Sequence, residues 1–419
     1  MTTTATIPPA NKKEIFSWCC YDFANSSYTT VIITVIYSTY FTKVVCQGLD
    51  AANTLWAAAL AISQLIVIFL GPWLGAVADR HACKKKFLIS LSLLCASFTA
   101  LLYFTAPGTV WLAFALIVVS NFAFSMGENF CASFLPELST PETCGKISGY
   151  GWSFGYLGGL VSLGMALLIL KLGGSSDPAV VKNIFPATAL FFILAALPTL
   201  FFLRERAKPK SSPTTEPSAF THLLNTLKKL PAQRTLFQFF ISFFCYMCGL
   251  CSIVAFAAIY AQTEIGFSTE QTILLFASLQ ISSAIGAFAF GFLQDRTGAR
   301  LALTISLVLW IVVCLGAAFS TTQAAFFIVG NLAGIVIGST QSASRAVVSM
   351  LTPAGQEGEY FGLWGFFGKL AAVLGPLAFG FVADLVHLRW AIGLVALFFV
   401  LGLIFLQNLD LKRPSVSYS

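Results

Sequence analysis

Charge is scarce in this chain. Asp, Glu, Lys and Arg make up 10% of 419 residues against 57% hydrophobic ones, a balance that excludes a water-soluble domain of this length. There are three histidines, His81, His222 and His387, all expected near the membrane interfaces. They suggest no nucleophile–base pair, so neither catalysis nor a cofactor is expected. Alternation of the strand kind is missing, which excludes a β-barrel. A cleavable signal peptide is not expected either, because Met1 to Ala10 is Thr/Pro-rich without an apolar core.

What is abundant is the long apolar run. Stretches of about 20 residues, enough to cross a hydrocarbon core of roughly 30 Å as a helix, recur near 15–43, 54–78, 87–106, 110–135, 147–171, 184–203, 235–261, 270–294, 301–319, 324–351, 360–385 and 390–408. The expected fold class is an all-α membrane protein of twelve transmembrane helices.

The net charge of +7 raises the question of nucleic acid, and the positions of the basic residues answer it. With the N-terminus inside, the inner segments hold Lys12, Lys13, Arg80, Lys84, Lys85, Lys86, Lys146, Arg204, Arg206, Lys208, Lys210, Lys228, Lys229, Arg234, Arg296, Arg300, Lys412 and Arg413. The outer loops hold only Lys43, Lys171, Lys182 and Arg389. That is the positive-inside distribution, which predicts both termini in the cytoplasm, a lipid bilayer as partner and no nucleic acid.

"RERAKPKSSPTTEPSAFTHLLNTLKKLPAQR" interrupts the apolar rhythm between the sixth and seventh spans. It divides the chain into an N-terminal bundle (1–203), a linker (204–233) and a C-terminal bundle (234–419). Phe220, Leu223, Leu224, Leu227 and Leu230 recur at helical spacing, so the linker is expected to carry a short helix on the membrane surface.

The two bundles repeat one another. "GAVADRHACKKK" (Gly75 to Lys86) matches "GFLQDRTGAR" (Gly291 to Arg300) at an offset of 216 residues, and Pro136 matches Pro353 at 217. Tyr21 in "YDFANSS" matches Tyr246 in "YMCGLCS" at 225, with Ala24 opposite Gly249 and Ser27 opposite Ser252. Three anchors in one order imply a duplicated six-helix unit and an alternating-access transporter.

Twelve spans, a basic linker and the G-x-x-x-D-R loop in both halves resemble the major facilitator superfamily. "SWCCYDFANSSY", "SGYGWSFGYLGG", "GSTQSASRAVVSMLTP" and "FGLWGFFGKLAAVLGP" resemble, more narrowly, the bacterial relatives of the autophagy-related vacuolar amino-acid effluxers. The resemblance implies a secondary transporter, with amino-acid efflux assigned to the eukaryotic branch. It also implies a latch on the cytoplasmic side, made by Gly75, Asp79 and Arg80 with Gly291, Asp295 and Arg296, that holds the outward-open state. The chain departs from the pattern twice. Where relatives read Tyr-Asn-Asp-Gly it has Tyr246, Met247, Cys248 and Gly249, and after Arg80 it has His81-Ala82-Cys83 without the usual glycine.

Ionisable residues deep in the spans are few: Asp22, Glu128, Arg345 and Lys369. A charge at the bilayer centre costs roughly 2.5–3.5 kcal/mol on insertion scales, so each is expected to face a cavity or a partner. The proline offset registers Glu128 with Arg345, as two ends of a zwitterion site or as an ion pair locking the halves. Lys369 registers with Tyr156 at an offset of 213. Gln341 lies four residues before Arg345, on the same helical face, and Asn129 adjoins Glu128. Asn25 and Tyr28 follow Asp22.

These residues predict a monomeric carrier of a small polar or zwitterionic metabolite, coupled to protons through Asp22. The glycines of "GYGWSFGYLGG" are read as a stripe, Gly151, Gly155 and Gly159, for close helix packing. Asp79 and Asp295, at helix ends, are placed to accept hydrogen bonds from the start of a neighbouring helix. Cys245, Cys248 and Cys251 recur on one helix and motivate the alternative of a metal or metal-chelate carrier. A receptor that binds without transporting is the third reading.

Overall fold

The computed structural model describes residues 10–47, 49, 51–174, 178–207, 209, 219–407 and 409. Lys208, Lys210, Lys412 and Arg413 of the basic set lie outside the described residues. Helices dominate: α1 (Lys12–Ser27), α2 (Ala52–His81), α3 (Lys84–Leu101), α4 (Val110–Ala132), α5 (Cys144–Gly173), α6 (Pro178–Phe202), α7 (Ala219–Lys229), α8 (Arg234–Thr263), α9 (Thr269–Thr297), α10 (Ala299–Phe319), α11 (Gln323–Leu351), α12 (Glu357–Leu385) and α13 (Leu388–Gln407).

Local chemistry sets several of the helix ends. Asn11 caps α1 by accepting from the Glu14 N–H at 2.8 Å, and Ser268 and Gln271 form a reciprocal capping box at α9. α2 closes on Ala82 in the left-handed conformation (φ 49°), a position usually filled by glycine. The expected linker helix is α7.

Among the described residues, eleven helices are long and apolar enough to cross a membrane. The expected first span, 15–43, is helical but is not one α-helix. Beyond α1 the chain winds with a wider turn at Tyr28–Val35 and again at Phe41–Val45, with Ile36 N–H bonding Val31 O at 2.9 Å and Cys46 N–H bonding Phe41 O at 2.9 Å. Residues 29–35 are all Thr, Val or Ile, whose branched Cβ crowds the α-helical turn. Thr34, Thr39 and Thr42 hydroxyls also donate back to Thr29, Val35 and Ser38 carbonyls at 2.9, 3.1 and 3.0 Å, in competition with the regular ladder. Such widened turns are rare and concentrate at functional places.

Packing divides the chain into two units. Unit 1 comprises residues 1–139, 154–220 and 352–365; unit 2 comprises 140–153, 221–351 and 366–419. The first turns of α5 therefore belong with unit 2, and those of α12 with unit 1. Within unit 1, α1 packs on α6, α2 on α4, and α3 on both α4 and α6. Unit 2 repeats each pairing with α8 on α13, α9 on α11, and α10 on both α11 and α13. The repeat extends to single contacts. The Tyr246 hydroxyl bonds Ser344 Oγ at 2.7 Å, and its counterpart Tyr21 points its hydroxyl at Gly127, where an added Cβ would stand 2.3 Å away. Ser344 and Gly127 are separated by the proline offset of 217.

Candidate functional site

The four intramembrane charges divide by sign. Asp22 on α1 and Glu128 on α4 belong to unit 1, while Arg345 on α11 and Lys369 on α12 belong to unit 2. Asp22, Glu128 and Lys369 are half-buried.

Arg345 is 2% exposed and held within unit 2 by the start of α5. Its Nε donates to Ser148 Oγ at 3.2 Å and its Nη2 to Ser148 O at 2.9 Å, with the guanidinium 5.2 Å from the centre of the Trp152 ring. Ser148 Oγ in turn donates to Ser342 O at 2.8 Å. Planarity lets one guanidinium bond and stack at once. Sequence reasoning saw only packing in the "SGYGW" stretch and missed this hold on Arg345. Gln341 lies half-buried one turn before Arg345 on α11.

In unit 1, Tyr28 is built into the interior. Its hydroxyl bonds Ser120 Oγ at 2.8 Å and its ring stacks on Phe124 at 5.0 Å. Tyr156 lies half-buried on α5. Asn25 is 6% exposed with no partner for Oδ1, and Asn129 is 4% exposed with no partner for either amide atom.

Two helix junctions are built alike. In unit 1, Asp79, 4% exposed, accepts the Gly358 and Glu359 N–H groups at 2.8 and 2.9 Å, capping α12. In unit 2, Asp295 accepts the Gly145 and Lys146 N–H groups at 2.7 and 3.0 Å, capping α5. A carboxylate at a helix start satisfies orphan donors and favours the helix dipole.

Small residues bring the backbones together at both places. An added Cβ on Gly75 would meet Gly358 O at 2.1 Å, and one on Gly362 would meet Gly71 O at 2.7 Å. At the other junction, Cβ atoms on Gly145 and Gly149 would meet Gly291 O and Ala287 O at 2.7 and 2.6 Å. Each helix presents small residues four apart, the small-xxx-small device of membrane helices. The stripe expected at Gly151, Gly155 and Gly159 is thus displaced at the α5 start, where Gly145 and Gly149 make the approach. Gly155 packs on α1, its added Cβ 3.0 Å from Ser26 Oγ. Arg80 is half-buried and Arg296 exposed beside their aspartates.

A charged cluster next to the first junction was not foreseen, because Lys84 reads in sequence as one more basic loop residue. It has no exposed surface, and its ammonium lies 2.5 Å from Glu137 Oε1 and 3.4 Å from Glu357 Oε2. Glu205 caps α3 through the Lys84 and Lys85 N–H groups at 2.7 and 3.1 Å. Arg206 donates its N–H to Glu137 Oε2 at 2.8 Å and pairs its guanidinium with Glu14 at 2.9 and 2.5 Å. All of these residues belong to unit 1. The available signal was an acid directly after the proline that closes the fourth span, Glu137 in "FLPEL".

All eleven cysteines are free thiols. Among the described residues, no group of three or more His, Cys, Asp or Glu is placed to hold a metal ion, and this includes Cys245, Cys248 and Cys251.

Comparison with known proteins adds four findings. The family described as "Vacuole effluxer Atg22 like" matches residues 50–417. The MFS-type transporter YxiO of Bacillus subtilis is 28% identical over 404 residues, 94% of each chain. Autophagy-related protein 22 of Kluyveromyces lactis is 24% identical over 71% of this chain and 64% of its own length. Among solved structures, the human organic anion transporter MFSD10 superposes with a TM-score of 0.75 at 15% identity, covering 94% of this chain and 99% of that one.

Proposed function

The chain belongs to the family of Atg22-like vacuole effluxers and is a secondary transporter of the major facilitator superfamily; on that premise we propose that it carries a small polar or zwitterionic metabolite, an amino acid or related compound, by proton-coupled alternating access. It is an integral membrane protein and not an enzyme. The observation that carries the cargo class is the division by sign of the charges within the apolar spans. The acids of unit 1, Asp22 and Glu128, match the ammonium end of such a solute, and the bases of unit 2, Arg345 and Lys369, match its carboxylate. Charges this deep in apolar spans are retained for function.

In this reading Asp22 takes up and releases the coupling proton. Glu128 and Arg345 contact the solute or gate it. Asn25, Tyr28, Asn129, Tyr156, Gln341 and Lys369 complete the polar set. The junctions at Gly75, Asp79 and Arg80 and at Gly291, Asp295 and Arg296 face the cytoplasm and latch the outward-open state. The distribution of Lys and Arg supports cytoplasmic termini in a bacterial inner membrane, and the protein works as a monomer.

The test is movement of radiolabelled amino acids in proteoliposomes under an imposed pH gradient, wild type against Asp22→Asn. The variant is expected to lose the response to the gradient. Unchanged gradient-driven movement would remove Asp22 from the coupling, and no movement of any amino acid by wild type would remove the cargo class.

A further inference from the structure

Each junction contains a buried amide with no hydrogen-bond partner for either of its atoms. At the first junction Asn129 lies against α12 at Gly365, about two helical turns beyond the amides that Asp79 caps. An added Cβ on Gly365 would stand 2.3 Å from its Nδ2, and one on Gly71 3.9 Å from the same atom. Asn129 is 4% exposed, and both of its amide atoms lack a hydrogen-bond partner. At the second junction Gln294 precedes Asp295 and passes the start of α5, its Cβ 3.0 Å from where a Cβ on Gly145 would lie. Gln294 is 3% exposed, and again neither amide atom has a partner.

Single unpartnered atoms occur elsewhere in the interior, at Asn25, Gln64 and Ser125 for example, but among the described residues only Asn129 and Gln294 have both amide atoms buried without a partner. One helical turn pair away on α4, Asn121 donates to Ser63 Oγ at 2.5 Å, and Ser148 and Ser153 of α5 donate to Ser342 and Ala284 carbonyls at 2.8 Å each. The unpaired state is not a by-product of the internal repeat. The counterpart of Asn129 at the offset of 217 is Ala346, and that of Gln294 at 216 is Ala78. Each junction carries one amide, at a position its twin fills with alanine.

A buried amide without partners is unfavourable, and the penalty ends when the group reaches water or another donor and acceptor. We propose that Asn129 and Gln294 are opening elements, unpaired amides that bias the two junctions toward separation against the hold of Asp79 and Asp295. A carrier must leave each state about as readily as it enters it, and junctions held by capping, close backbone packing and the Lys84–Glu357 and Arg345–Ser148 contacts would otherwise stay shut. The amide lowers the stability of the closed junction while the capping hydrogen bonds of Asp79 and Asp295 stay in place.

The experiment is amide hydrogen exchange of the full-length protein in lipid nanodiscs, read on peptides covering Gly358–Glu359 and Gly145–Lys146. Replacing each amide by an apolar side chain of similar volume strengthens its own junction. Asn129→Leu is expected to slow exchange at Gly358–Glu359, and Gln294→Met at Gly145–Lys146, by about tenfold, the scale of one hydrogen-bonding group left unmade. Asp79→Asn and Asp295→Asn are expected to accelerate exchange at the same amides. Unchanged or faster exchange in a folded Asn129→Leu protein overturns the proposal, since the amide would then be satisfied or would support the junction. Should that variant fail to fold, Gln294→Met decides by the same criterion at its own peptide. Exchange is read without any solute, so its outcome and that of the proteoliposome assay are independent.

Discussion

Lys84 and Glu137 form a fully enclosed ion pair, Nζ to Oε1 2.5 Å, with the ammonium carrying no exposed surface. Glu357 approaches the same ammonium at 3.4 Å from the first turn of α12, so one cation serves two carboxylates 220 residues apart in sequence.

Lys84→Met leaves those two carboxylates facing each other without the charge between them. Breaking a buried pair by removing one partner costs about 3–5 kcal/mol. The lower end applies here, because Glu137 keeps the Arg206 N–H and Glu357 keeps the Gly355 N–H. Glu137→Gln is milder, since Glu357 still answers the lysine. Thermal unfolding in detergent is expected to fall in that order, and a Lys84→Met protein as stable as wild type would show the cluster to be energetically idle.

Ala82 offers a change in the opposite direction. It holds φ 49° and ψ 56° at the end of α2, whereas its counterpart in the second half is Gly298 at φ 95°. The left-handed conformation costs an L-residue about 1–2 kcal/mol, partly offset because glycine loses more backbone entropy on folding. Ala82→Gly is therefore expected to raise the unfolding midpoint by about 2 °C. Gly298→Ala is expected to lower it by more, because φ 95°, ψ 152° lies outside the region that Ala82 occupies.

Gly75→Val tests whether the backbones must touch at the first junction. The new Cβ would lie 2.1 Å from Gly358 O, a carbonyl that no side-chain rotation can move. Overpacking of this kind costs about 1–3 kcal/mol, and the Asp79 cap on α12 should loosen with it. Gly164→Ala is the matched control, as its added Cβ meets nothing within 4 Å in the middle of α5. That variant should gain about 0.5–1 kcal/mol from helix propensity. Equal effects at the two positions would show that close approach is not what selects glycine at 75.

The spans, the duplication and the capping role of the two aspartates were legible in the sequence, because each rests on a local pattern. Apolar length marks a helix, a shared offset marks a repeat, and a carboxylate at a helix end seeks N–H groups. The residues joined across the chain were not legible. Lys84 and Glu357 are 273 residues apart and Arg345 and Ser148 are 197 apart, and nothing near Lys84 in "HACKKK" distinguishes it from Lys85 and Lys86, which are less buried. The broken winding of the first span escaped for another reason. Apolar length says that a segment crosses, but the hydroxyl back-bonds of Thr34, Thr39 and Thr42 decide how it winds.

Arg345 separates a structural role from a transport role. Its two bonds to Ser148 and its stacking on Trp152 use the planar guanidinium, and a lysine ammonium can reproduce one bond at most. Hydrogen bonds to a charged group contribute about 1.5–3 kcal/mol, and a desolvated cation–π contact up to about 2 kcal/mol. Arg345→Lys is therefore expected to destabilise the protein by about 2 kcal/mol. Ser148→Ala removes the hydroxyl but leaves the carbonyl that receives Nη2, and should cost about 1 kcal/mol. Combining Arg345→Lys with Ser148→Ala should cost less than the sum, because the second change removes a partner the first has already lost. Additive effects in thermal unfolding would show that Ser148 does not hold Arg345, and would leave the arginine to the solute alone.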